Sequence, residues 1–560
     1  MWTHNYEPIA GSLGASALVA AIPIFVLFYM LGVRRSPSYV ASLAALVSAL
    51  VIALTAYSMP LTLAVVSTLY GAAYGLFPIA WVVFASILLY RIVVDTGKFE
   101  IIKSSVGNLT TDRRLQALFI AFAFGAFIEG AAGFGTPVAV SGAMLAGLGF
   151  SPFYAAGICL LANTAPVAFG SIGIPVVTLA NVTGMPLLPL SAMVGRLCAL
   201  VSIFIPGYLL VVMVGWKRAM EVLPAIIACG VSFAGVQFYV SNYMGPELTD
   251  ILSSLSCIIV MVFVLKFWKP KTILRLPDDK PIVPSTVHYS AGQVFMAWMP
   301  YLLLVIFVLA WGEPSIKAGL DRFTDGLMPA FLPHGTALNN INVPGLHNLI
   351  TRVPPVTPAP APYAAPFALN WLSASGTACL FAAMMAAAVL GVGPSRFLSA
   401  YKATFIQLQK PMLTLASMLG LAYLMNYSGM TSTLGLALAA TGVAFPFFSA
   451  TLGWLGVFLT GSDTSSNALF GNLQVVTANA LGLNPVLTAS VNTAAGVMGK
   501  MISVLSIAVA VAATNMSRDD ESRLFRFTIK HSVLLMAVMG VISLLYAYVF
   551  PEWVPVLPPK

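Results

Sequence analysis

Long apolar runs separated by short polar connections dominate the chain. Each run holds about 20 apolar residues, the length that an α-helix needs to cross the hydrocarbon core of a bilayer. Residues 13–33 and 38–57 are clear examples. We expect the first run to remain in the mature protein, because no basic leader precedes it and no small-residue cleavage site follows it. The pattern predicts an all-α polytopic membrane protein with about 12 to 14 transmembrane helices.

Two regions, residues 115–214 and 411–516, interrupt this pattern with glycine, proline, serine, threonine and asparagine. Such backbone is tolerated in a membrane only where it is buried in protein or lines a watery cavity. The two regions also resemble each other: GAFIEG (125–130) parallels GVFLTG (456–461), GFSP (149–152) parallels GLNP (482–485), and LANTAP (161–166) parallels SVNTAA (490–495). Interrupted segments at matching positions point to a transporter site. We therefore predict two pseudo-repeated halves with broken or re-entrant helices; chance similarity between glycine-rich helices is the alternative.

The same pattern divides the chain into scaffold and transport regions, and we expect the transport regions to move against the scaffold. The predicted divisions are N-terminal scaffold spans (1–114), a first glycine-rich transport region (115–214), scaffold spans (215–311), an external Pro-rich connection (312–366), a scaffold span with a cytoplasmic loop (367–410), a second transport region (411–516), and a cytoplasmic loop with the final span (517–560).

Composition agrees with a membrane protein, because 59% of the residues are hydrophobic and 8% are charged, against about 25% charged in soluble domains. The net charge of +9 is concentrated in short connections, where the positive-inside rule assigns lysine and arginine to the cytoplasm. Topology therefore explains the charge without nucleic-acid binding, and it predicts that both termini are external. The cysteines and histidines have no ligand spacing, so we predict neither a metal site nor a cofactor.

Several motifs carry a resemblance to a known family: GAFIEGAAGFGTPVAV (125–140), ANTAPVAFGSIGIP (162–175), NYSGM (426–430), GWLGVFLTGSDTSSNALFGNLQ (453–474), GKMIS (499–503) and LFRFTIKHS (524–532). Together they resemble the bacterial lactate permease family over nearly the whole chain. The resemblance implies proton-coupled symport of lactate, and of glycolate, across the inner membrane. Two positions differ from the family pattern: FGTP replaces FGAP, and Val504-Leu505 replaces a Pro-Gln pair, which removes a helix breaker and a polar side chain.

Four charged residues fall within apolar runs: Glu129, Arg196, Asp463 and Lys500. A charge at the bilayer centre costs about 3 kcal/mol or more, so each is a functional hypothesis; structural ion pairs are the alternative. Arg196 could bind the substrate carboxylate, although snorkelling to the interface is its simpler explanation. We predict Lys500 as a substrate-binding cation or as the partner of Asp463.

Glu129 is the predicted proton carrier. Its neighbours in sequence are apolar: Phe127, Ile128 and Phe134. Apolar surroundings favour the neutral form of a carboxylate, so that it can load and release a proton. Helix-breaking residues follow it: Gly130, Gly133, Gly135 and Pro137. A half-helix that begins at the break would direct its N-terminal amides towards an anion.

GSDTSSN, residues 461–467, is the predicted counterpart, with a helix break at Gly461 and a second proton-coupling carboxylate at Asp463. Either Asp463 or Thr464 could alternatively serve as an N-cap. The remaining predicted substrate-binding residues are polar: Thr136, Asn163, Ser171, Ser465, Ser466, Asn467 and Gln474.

Other functions stay open at this point. An acidic residue among hydroxyl groups also suits Na⁺, so a Na⁺-coupled transporter of another small carboxylate is the main alternative. The chain lacks HExxH, GxSxG and phosphate-loop motifs, which disfavours a membrane enzyme. A channel is a further alternative, and an oligomer is possible.

Overall fold

The computed structural model of the protein describes residues 1–107, 109–133, 135–275, 289–327, 338, 341–517 and 520–557. Helices make up most of this part. Those of the first half are α1 (Leu13–Phe28), α2 (Ser38–Thr55), α3 (Leu61–Tyr74), α4 (Trp81–Asp95), α5 (Lys98–Gly107), α6 (Arg113–Gln116), α7 (Gly125–Ala131), α8 (Thr136–Gly147), α9 (Pro152–Ala162), α10 (Gly170–Thr183), α11 (Leu187–Ser202), α12 (Ile205–Val214), α13 (Trp216–Met220), α14 (Leu223–Tyr243) and α15 (Thr249–Phe267).

The later helices are α16 (Ala291–Gly312), α17 (Pro314–Leu327), α18 (Ser375–Val389), α19 (Pro394–Ser428), α20 (Met430–Leu438), α21 (Phe445–Thr460), α22 (Asp463–Ala480), α23 (Pro485–Lys500), α24 (Val504–Ala513) and α25 (Asp520–Tyr548). Wider π-helical turns at Tyr29–Val33, Gly75–Ala80 and Ala117–Phe124 and short 3₁₀ turns at Val167–Phe169, Ala439–Ala444 and Pro551–Trp553 join or end some of them.

Ten helical segments of the described chain are long and apolar enough to cross a membrane. The number rises to 12 if each of two bent helix pairs is one span. The first pair, α9 with Val167–Thr183, bends by 63°, and the second, α23 with α24, bends by 40°. The all-α polytopic fold with broken helices predicted from the sequence is confirmed.

The two glycine-rich regions repeat the same order of elements. In the first, α8 ends near Gly149, which has a φ of +98°, and Pro152 begins α9. In the second, α22 ends near Gly482, which has a φ of +67°, and Pro485 begins α23. A left-handed glycine ends a helix without steric cost, and proline is suited to the first helical turn. GFSP and GLNP therefore make the same turn in both halves.

Short strands lie at the N-terminus and in the connection between the halves: β1 (Trp2–Thr3), β2 (Ile341–Asn342), β3 (Ile350–Arg352), β4 (Ala361–Pro362) and β5 (Pro366–Phe367). Strand β3 lies between β1, which is parallel to it, and β4, which is antiparallel, while β2 pairs with β5 in antiparallel orientation. The N-terminal segment and the Pro-rich connection therefore lie on the same side of the molecule.

Two basic residues, Arg113 and Arg114, are fully buried at the start of α6. The Arg114 guanidinium pairs with Asp112 at 2.8 Å and with Glu221 at 2.7 Å. Arg114 holds the pKa of the Glu221 carboxyl below its usual value. This cluster ties the α6 end of a broken span to the connection between α13 and α14.

Candidate functional site

A polar cleft lies where the broken helices of the two halves meet. It encloses about 580 Å³ of empty space, part of it open to the surroundings. Its lining comes from both halves: Glu129, Gly135, Val167, Gly170, Ser171, Ile174, Pro175, Gly461, Ser462, Asp463, Thr464, Lys500, Leu505 and Ser506. The structure thus brings together Glu129, Ser171, Asp463 and Lys500, which are far apart in sequence.

The first break separates α7 from α8 and lies just after Glu129. Gly133 and Gly135 have φ angles of +59° and +81°, which side chains rarely adopt. A Cβ atom on Gly133 would lie 2.0 Å from Ser171 Oγ, and that hydroxyl donates a hydrogen bond of 3.0 Å to the Ala132 carbonyl. Ser171 therefore holds the end of α7 against the start of α10.

The start of α10 is itself irregular. Ser171, Ile172 and Gly173 have φ angles of +47°, +60° and +73°. The left-handed region is particularly unfavourable for a β-branched residue such as Ile172. Such strain is retained only where the surrounding structure imposes it, and it often marks a functional site. Here it directs the start of the right-handed helix, at Ile174 and Pro175, into the cleft.

The second break separates α21 from α22 at Gly461, which has a φ of +72°. The N-cap of α22 is Ser462, whose Oγ accepts a hydrogen bond of 3.2 Å from the Ser465 amide. The alternative assignment of Asp463 or Thr464 as the cap was therefore wrong. Because Ser462 caps the helix, the side chains of Asp463 and Thr464 are available to line the cleft.

A further break, between α23 and α24, follows Lys500. Ser503 caps α24, accepting a hydrogen bond of 3.2 Å from the Ser506 amide. Val504 is the first residue of the new helix, and Leu505 lines the cleft. The helix therefore breaks here without proline, because the serine cap supplies the hydrogen bond that a new helix start needs.

Three charged side chains meet at the cleft. Glu129 and Asp463 are each 3% exposed and Lys500 is 8% exposed. Lys500 interacts electrostatically with both carboxylates. In the described part of the chain, Glu129 Oε2 and both Asp463 carboxylate oxygens have no hydrogen-bond partner. These acceptors are therefore free to bind a proton, a cation or a substrate hydroxyl.

The absence of a side chain at two glycines leaves space for the Glu129 and Asp463 carboxylates. A Cβ atom on Gly170 would lie 2.5 Å from Glu129 Oε1, and one on Gly496 would lie 2.6 Å from Asp463 Oδ1. Gly496 is one helical turn before Lys500, so Asp463 packs against the face of α23 that carries this lysine. The sequence pattern gives no indication of either contact.

The structure does not bring Arg196 to the cleft. Its Nε donates a hydrogen bond of 2.9 Å to Asn242 Oδ1, and its Nη1 donates to the Trp553 carbonyl. A guanidinium engaged in this way ties α11 to α14 and to the C-terminal segment. Gly130 was also misassigned as a helix break, since it lies within α7 and packs against Asp250 and Ile251 of α15.

Other predicted substrate residues form a network between helices and are not among the cleft-lining residues. Ser466 donates to the Gly453 carbonyl, and Asn467 donates to the Pro175 carbonyl. Asn467 Oδ1 accepts from both Asn492 and Thr493 at 2.9 Å. Gln474 donates to Asn492 Oδ1 and to the Ser449 carbonyl. These bonds position α22 against α10, α21 and α23.

The remaining predicted residues have different surroundings. Asn163 is buried close to Glu129. Ser465 is buried in the first turn of α22, and its amide takes part in the cap. Thr136 is half-buried as the first residue of α8, directly before Pro137 in the first turn. Phe134 lies outside the described residues.

Sequence reasoning missed one buried acid, Asp250, which is 1% exposed in the first turn of α15. Its position after a proline and before an apolar run is typical of an ordinary helix start. The available signal was its place in GPELTDILSSLSC, where small and hydroxyl residues indicate close helix packing. Ser462, Thr464 and Ser506, which line the cleft, were also not selected.

Four helices begin at the cleft, since residues at or next to the starts of α8, α10, α22 and α24 line it. Free amides and the helix dipole make each such end favourable for negative charge. One ammonium group, hydroxyl groups and four helix starts are suited to a small anion that also carries a hydroxyl. Two carboxylates beside them are suited to a positive co-substrate.

The comparisons with known proteins agree over the whole length. A model of the L-lactate permease family matches residues 16–550. The chain is 48% identical to the L-lactate permease of Bacillus subtilis (strain 168) over 568 aligned residues, which cover 99% of this chain and 100% of that protein. It is 46% identical to the glycolate permease GlcA of Escherichia coli (strain K12) over 566 residues, 98% of each protein.

Among solved structures, the YdaH transporter of Alcanivorax borkumensis aligns over 86% of this chain and 87% of its own, at 13% identity and a TM-score of 0.42. The sequence matches are much closer than this likeness and extend over both glycine-rich regions. The chain therefore belongs to the L-lactate permease family and is a membrane transporter, not an enzyme.

Proposed function

We propose that this permease carries lactate, and also glycolate or another small 2-hydroxymonocarboxylate, into the cell across the bacterial inner membrane together with protons. The names of its relatives support lactate and glycolate as the substrate class. Proton coupling is supported by the balance of charge in the cleft, which is the observation that carries the proposal.

The cleft lining contains two carboxylates and one ammonium group, Glu129, Asp463 and Lys500. With all three ionised, the lining carries one negative charge, and a bound lactate anion would raise this to two. Burial makes such an excess costly, because water cannot screen it. A proton that enters with lactate removes one of these charges. Substrate and proton then favour each other's binding, as linkage requires.

Glu129 is the carboxylate best placed to hold this proton. It lies in the last turn of α7, where the helix dipole disfavours negative charge. Its Oε2 atom has no hydrogen-bond partner among the described residues. Lys500 and the helix starts around it would receive the substrate carboxylate, and Ser171, Thr464 or Ser506 would bind the substrate hydroxyl.

Proton coupling would also remove the electrical cost of lactate uptake. Moving a lactate anion inward against an inside-negative potential costs about 2.3 kcal/mol of free energy per 100 mV. One proton carried with each anion makes the cycle electroneutral, so that the membrane potential no longer opposes uptake. The pH gradient then drives accumulation.

One observation favours Na⁺ as the second candidate for the coupling ion. Asp463 has two unpartnered oxygens and lies among Ser462, Thr464 and Ser506 at the cleft. Hard cations bind to oxygen ligands of this kind. Replacing Na⁺ with choline distinguishes the two ions directly.

The test is uptake of labelled L-lactate by the purified protein in liposomes, with an alkaline interior and again after the gradient is collapsed. We expect accumulation only with the gradient, and the same accumulation in choline as in Na⁺. Glu129→Gln should abolish accumulation and retain exchange of internal for external lactate, because exchange needs no net proton transfer.

The matched control is Glu100→Gln, an equal change at an exposed carboxylate that pairs with Lys103 on α5, away from the cleft. It should accumulate lactate like the wild type. Uptake that follows Na⁺ and ignores pH would overturn proton coupling, and accumulation by Glu129→Gln would remove Glu129 as the carrier.

A further inference from the structure

Asp250 is a buried acid that the cleft does not use. It is 1% exposed, it is not among the cleft-lining residues, and neither of its carboxylate oxygens has a hydrogen-bond partner in the described part of the chain. An isolated ionised carboxylate in such surroundings costs several kcal/mol, so a retained one needs an explanation.

Helix capping does not explain Asp250. It lies in the first turn of α15, where an acid can stabilise a helix by accepting hydrogen bonds from free amides. Its oxygens accept none from the described residues. The N-cap position belongs to Leu248, which has no side-chain acceptor. The carboxylate is therefore directed away from the start of its own helix.

Asp250 is instead directed towards the proposed proton carrier. It packs against Gly130, the residue after Glu129: a Cβ atom on Gly130 would lie 2.7 Å from Asp250 Cβ. The Asp250 and Glu129 carboxylates interact electrostatically across the contact between α15 and α7. Cys198 of α11 is a further titratable group near Asp250 among the described residues. The absence of a side chain at Gly130 is what allows this approach.

The neighbourhood contains another buried polar group, Asn163, whose side chain interacts with the Glu129 carboxylate. Neither its Oδ1 nor its Nδ2 makes a hydrogen bond to any other described residue. Asn163 is 3% exposed, so bulk water does not supply hydrogen bonds to its side chain. Glu129 thus has two buried polar neighbours, Asn163 just after α9 and Asp250 on α15.

We propose that Asp250 is a second proton-binding residue of the transport cycle, which exchanges protons with Glu129 from a position outside the cleft. In this step the Asp250 carboxyl group loses a proton, the Glu129 carboxylate gains it, and Asp250 is reprotonated from the aqueous side. The inference deepens the proposed function and rests on it, since it requires that transport is proton-coupled.

Another acid, Glu247, lies three residues before Asp250 in the chain. It lies in the connection between α14 and α15, is half-buried, and accepts a hydrogen bond of 3.5 Å from Ser375 at the start of α18. Burial raises the pKa of the Glu247 carboxyl, which brings its proton exchange closer to neutral pH. In the proposed cycle, Asp250 would be reprotonated from this connection and not through the substrate cleft.

The test compares Asp250→Asn with the wild type in liposomes that contain a pH-sensitive dye, so that lactate uptake and proton uptake are recorded together. We expect pH-driven lactate uptake and lactate-coupled proton uptake to fall by about 10-fold or more, as is typical when a proton-transferring group is removed. Exchange of internal for external lactate should stay within about twofold, because Asp250 does not line the cleft that would bind the substrate.

The matched control is Ser253→Ala, one turn further along α15, where a buried hydroxyl bonds only to the Thr249 carbonyl of its own helix. It should behave like the wild type. Asp250→Glu retains a carboxylate, and it should recover coupling with a shifted pH profile of uptake. If Asp250→Asn does not fold, an unshifted profile for Asp250→Glu would overturn the inference.

The outcomes separate the two proposals. If the wild type itself does not respond to a pH gradient, the proposed proton coupling fails. If the wild type responds and Asp250→Asn accumulates lactate at the same rate, the coupling stands and the role of Asp250 is overturned. Loss of both accumulation and exchange in a folded Asp250→Asn protein would also overturn it, since the residue would then serve the substrate site or the fold.

Discussion

The two helix breaks at the cleft have similar sequences and different chemistry. GAFIEG and GVFLTG align Glu129 with Thr460 and Gly130 with Gly461. Gly461 ends its helix in the left-handed region, whereas Gly130 remains helical against α15 and the first break comes three residues later, at Gly133. As a result the acid precedes the first break and follows the second.

This shift places the two carboxylates at opposite ends of helix dipoles. Glu129 lies in the last turn of α7, where negative charge is disfavoured, and Asp463 lies in the first turn of α22, where it is favoured. The hydroxyl of Thr460, the counterpart of Glu129, makes local hydrogen bonds: to the Gly456 carbonyl at 2.7 Å, to the Ser462 carbonyl at 3.0 Å, and from the Ser462 amide at 3.2 Å. A repeated backbone can therefore supply one acid that changes its protonation and another that keeps its charge beside Lys500.

The equivalent asparagines differ in the same way. Asn492, within α23, is held by Asn467 and Gln474, whereas Asn163, just after α9, interacts with the Glu129 carboxylate. The asparagine of the second half thus joins helices to each other, and the asparagine of the first half lies beside the proposed proton carrier. We expect the first half to carry the proton step and the second to position the substrate.

The largest effect is expected from Lys500, the cation shared by both halves. Lys500→Met leaves two buried carboxylates without their counter-charge, which costs about 3–5 kcal/mol. Initial rates of lactate uptake should give a kcat/KM that is lower by at least about 100-fold. Lys500→Arg retains the charge and should recover part of the rate. Near-normal transport by Lys500→Met would show that neither half depends on this cation.

Alanine should destabilise the protein more at Gly133 than at Gly461, the two glycines at the helix breaks. Gly461→Ala places a side chain in the left-handed region, at a cost of roughly 1–2 kcal/mol. Gly133→Ala has the same cost and also clashes with Ser171 Oγ, so thermal unfolding in detergent should show a larger fall in Tm. The double change Gly133→Ala with Ser171→Gly should recover part of this difference. Equal Tm values for the single variants would contradict the tighter packing of the first break.

One contact between the N-terminal segment and the second half is sensitive to pH. His4 Nε2 donates a hydrogen bond of 2.9 Å to the Tyr427 carbonyl, and the imidazole packs against Gly429, between α19 and α20. Burial lowers the pKa of His4 from 6.5 to about 4. Its contribution to stability is therefore complete above pH 6.5 and is lost as the pH falls towards 4, with about 2 kcal/mol lost at pH 5.

Thermal unfolding of the wild type and of His4→Gln from pH 7 to pH 5 tests this contact. The Tm of the wild type should fall further between pH 7 and pH 5 than the Tm of His4→Gln, because the variant has no imidazole to protonate. Parallel pH profiles of the two proteins would show that His4 does not titrate on unfolding.

The smallest effect is expected at Asp463. If it keeps its charge beside Lys500, it competes with the substrate carboxylate for that cation. Asp463→Asn should then lower KM for lactate by about fivefold, or about 1 kcal/mol, and slow turnover because release is harder. It should still accumulate lactate in response to pH, unlike Glu129→Gln. Loss of pH-driven accumulation in Asp463→Asn would make the two halves equivalent in proton coupling.

Much of the architecture could be predicted from local sequence. Apolar runs of membrane length, Gly/Pro interruptions and paired motifs predict broken helices in two related halves, because each feature acts on a few neighbouring residues. The prediction for individual polar residues was less accurate. Arg196 was selected for its charge and lies away from the cleft, whereas Ser466, Asn467 and Gln474 were selected for their polarity and bond to neighbouring helices.

Local sequence by itself determined that the chain crosses a membrane and which two regions contain broken helices. It also determined that Glu129, Asp463 and Lys500 require an explanation, because the bilayer makes both irregular backbone and charge costly at any position. Only the tertiary structure decided that these three side chains share one cleft and that Asp250 lies against Gly130. The reason is that contacts between α7, α10, α15, α22 and α23 depend on how helices distant in sequence pack, and a single glycine can either break a helix or admit a neighbouring carboxylate.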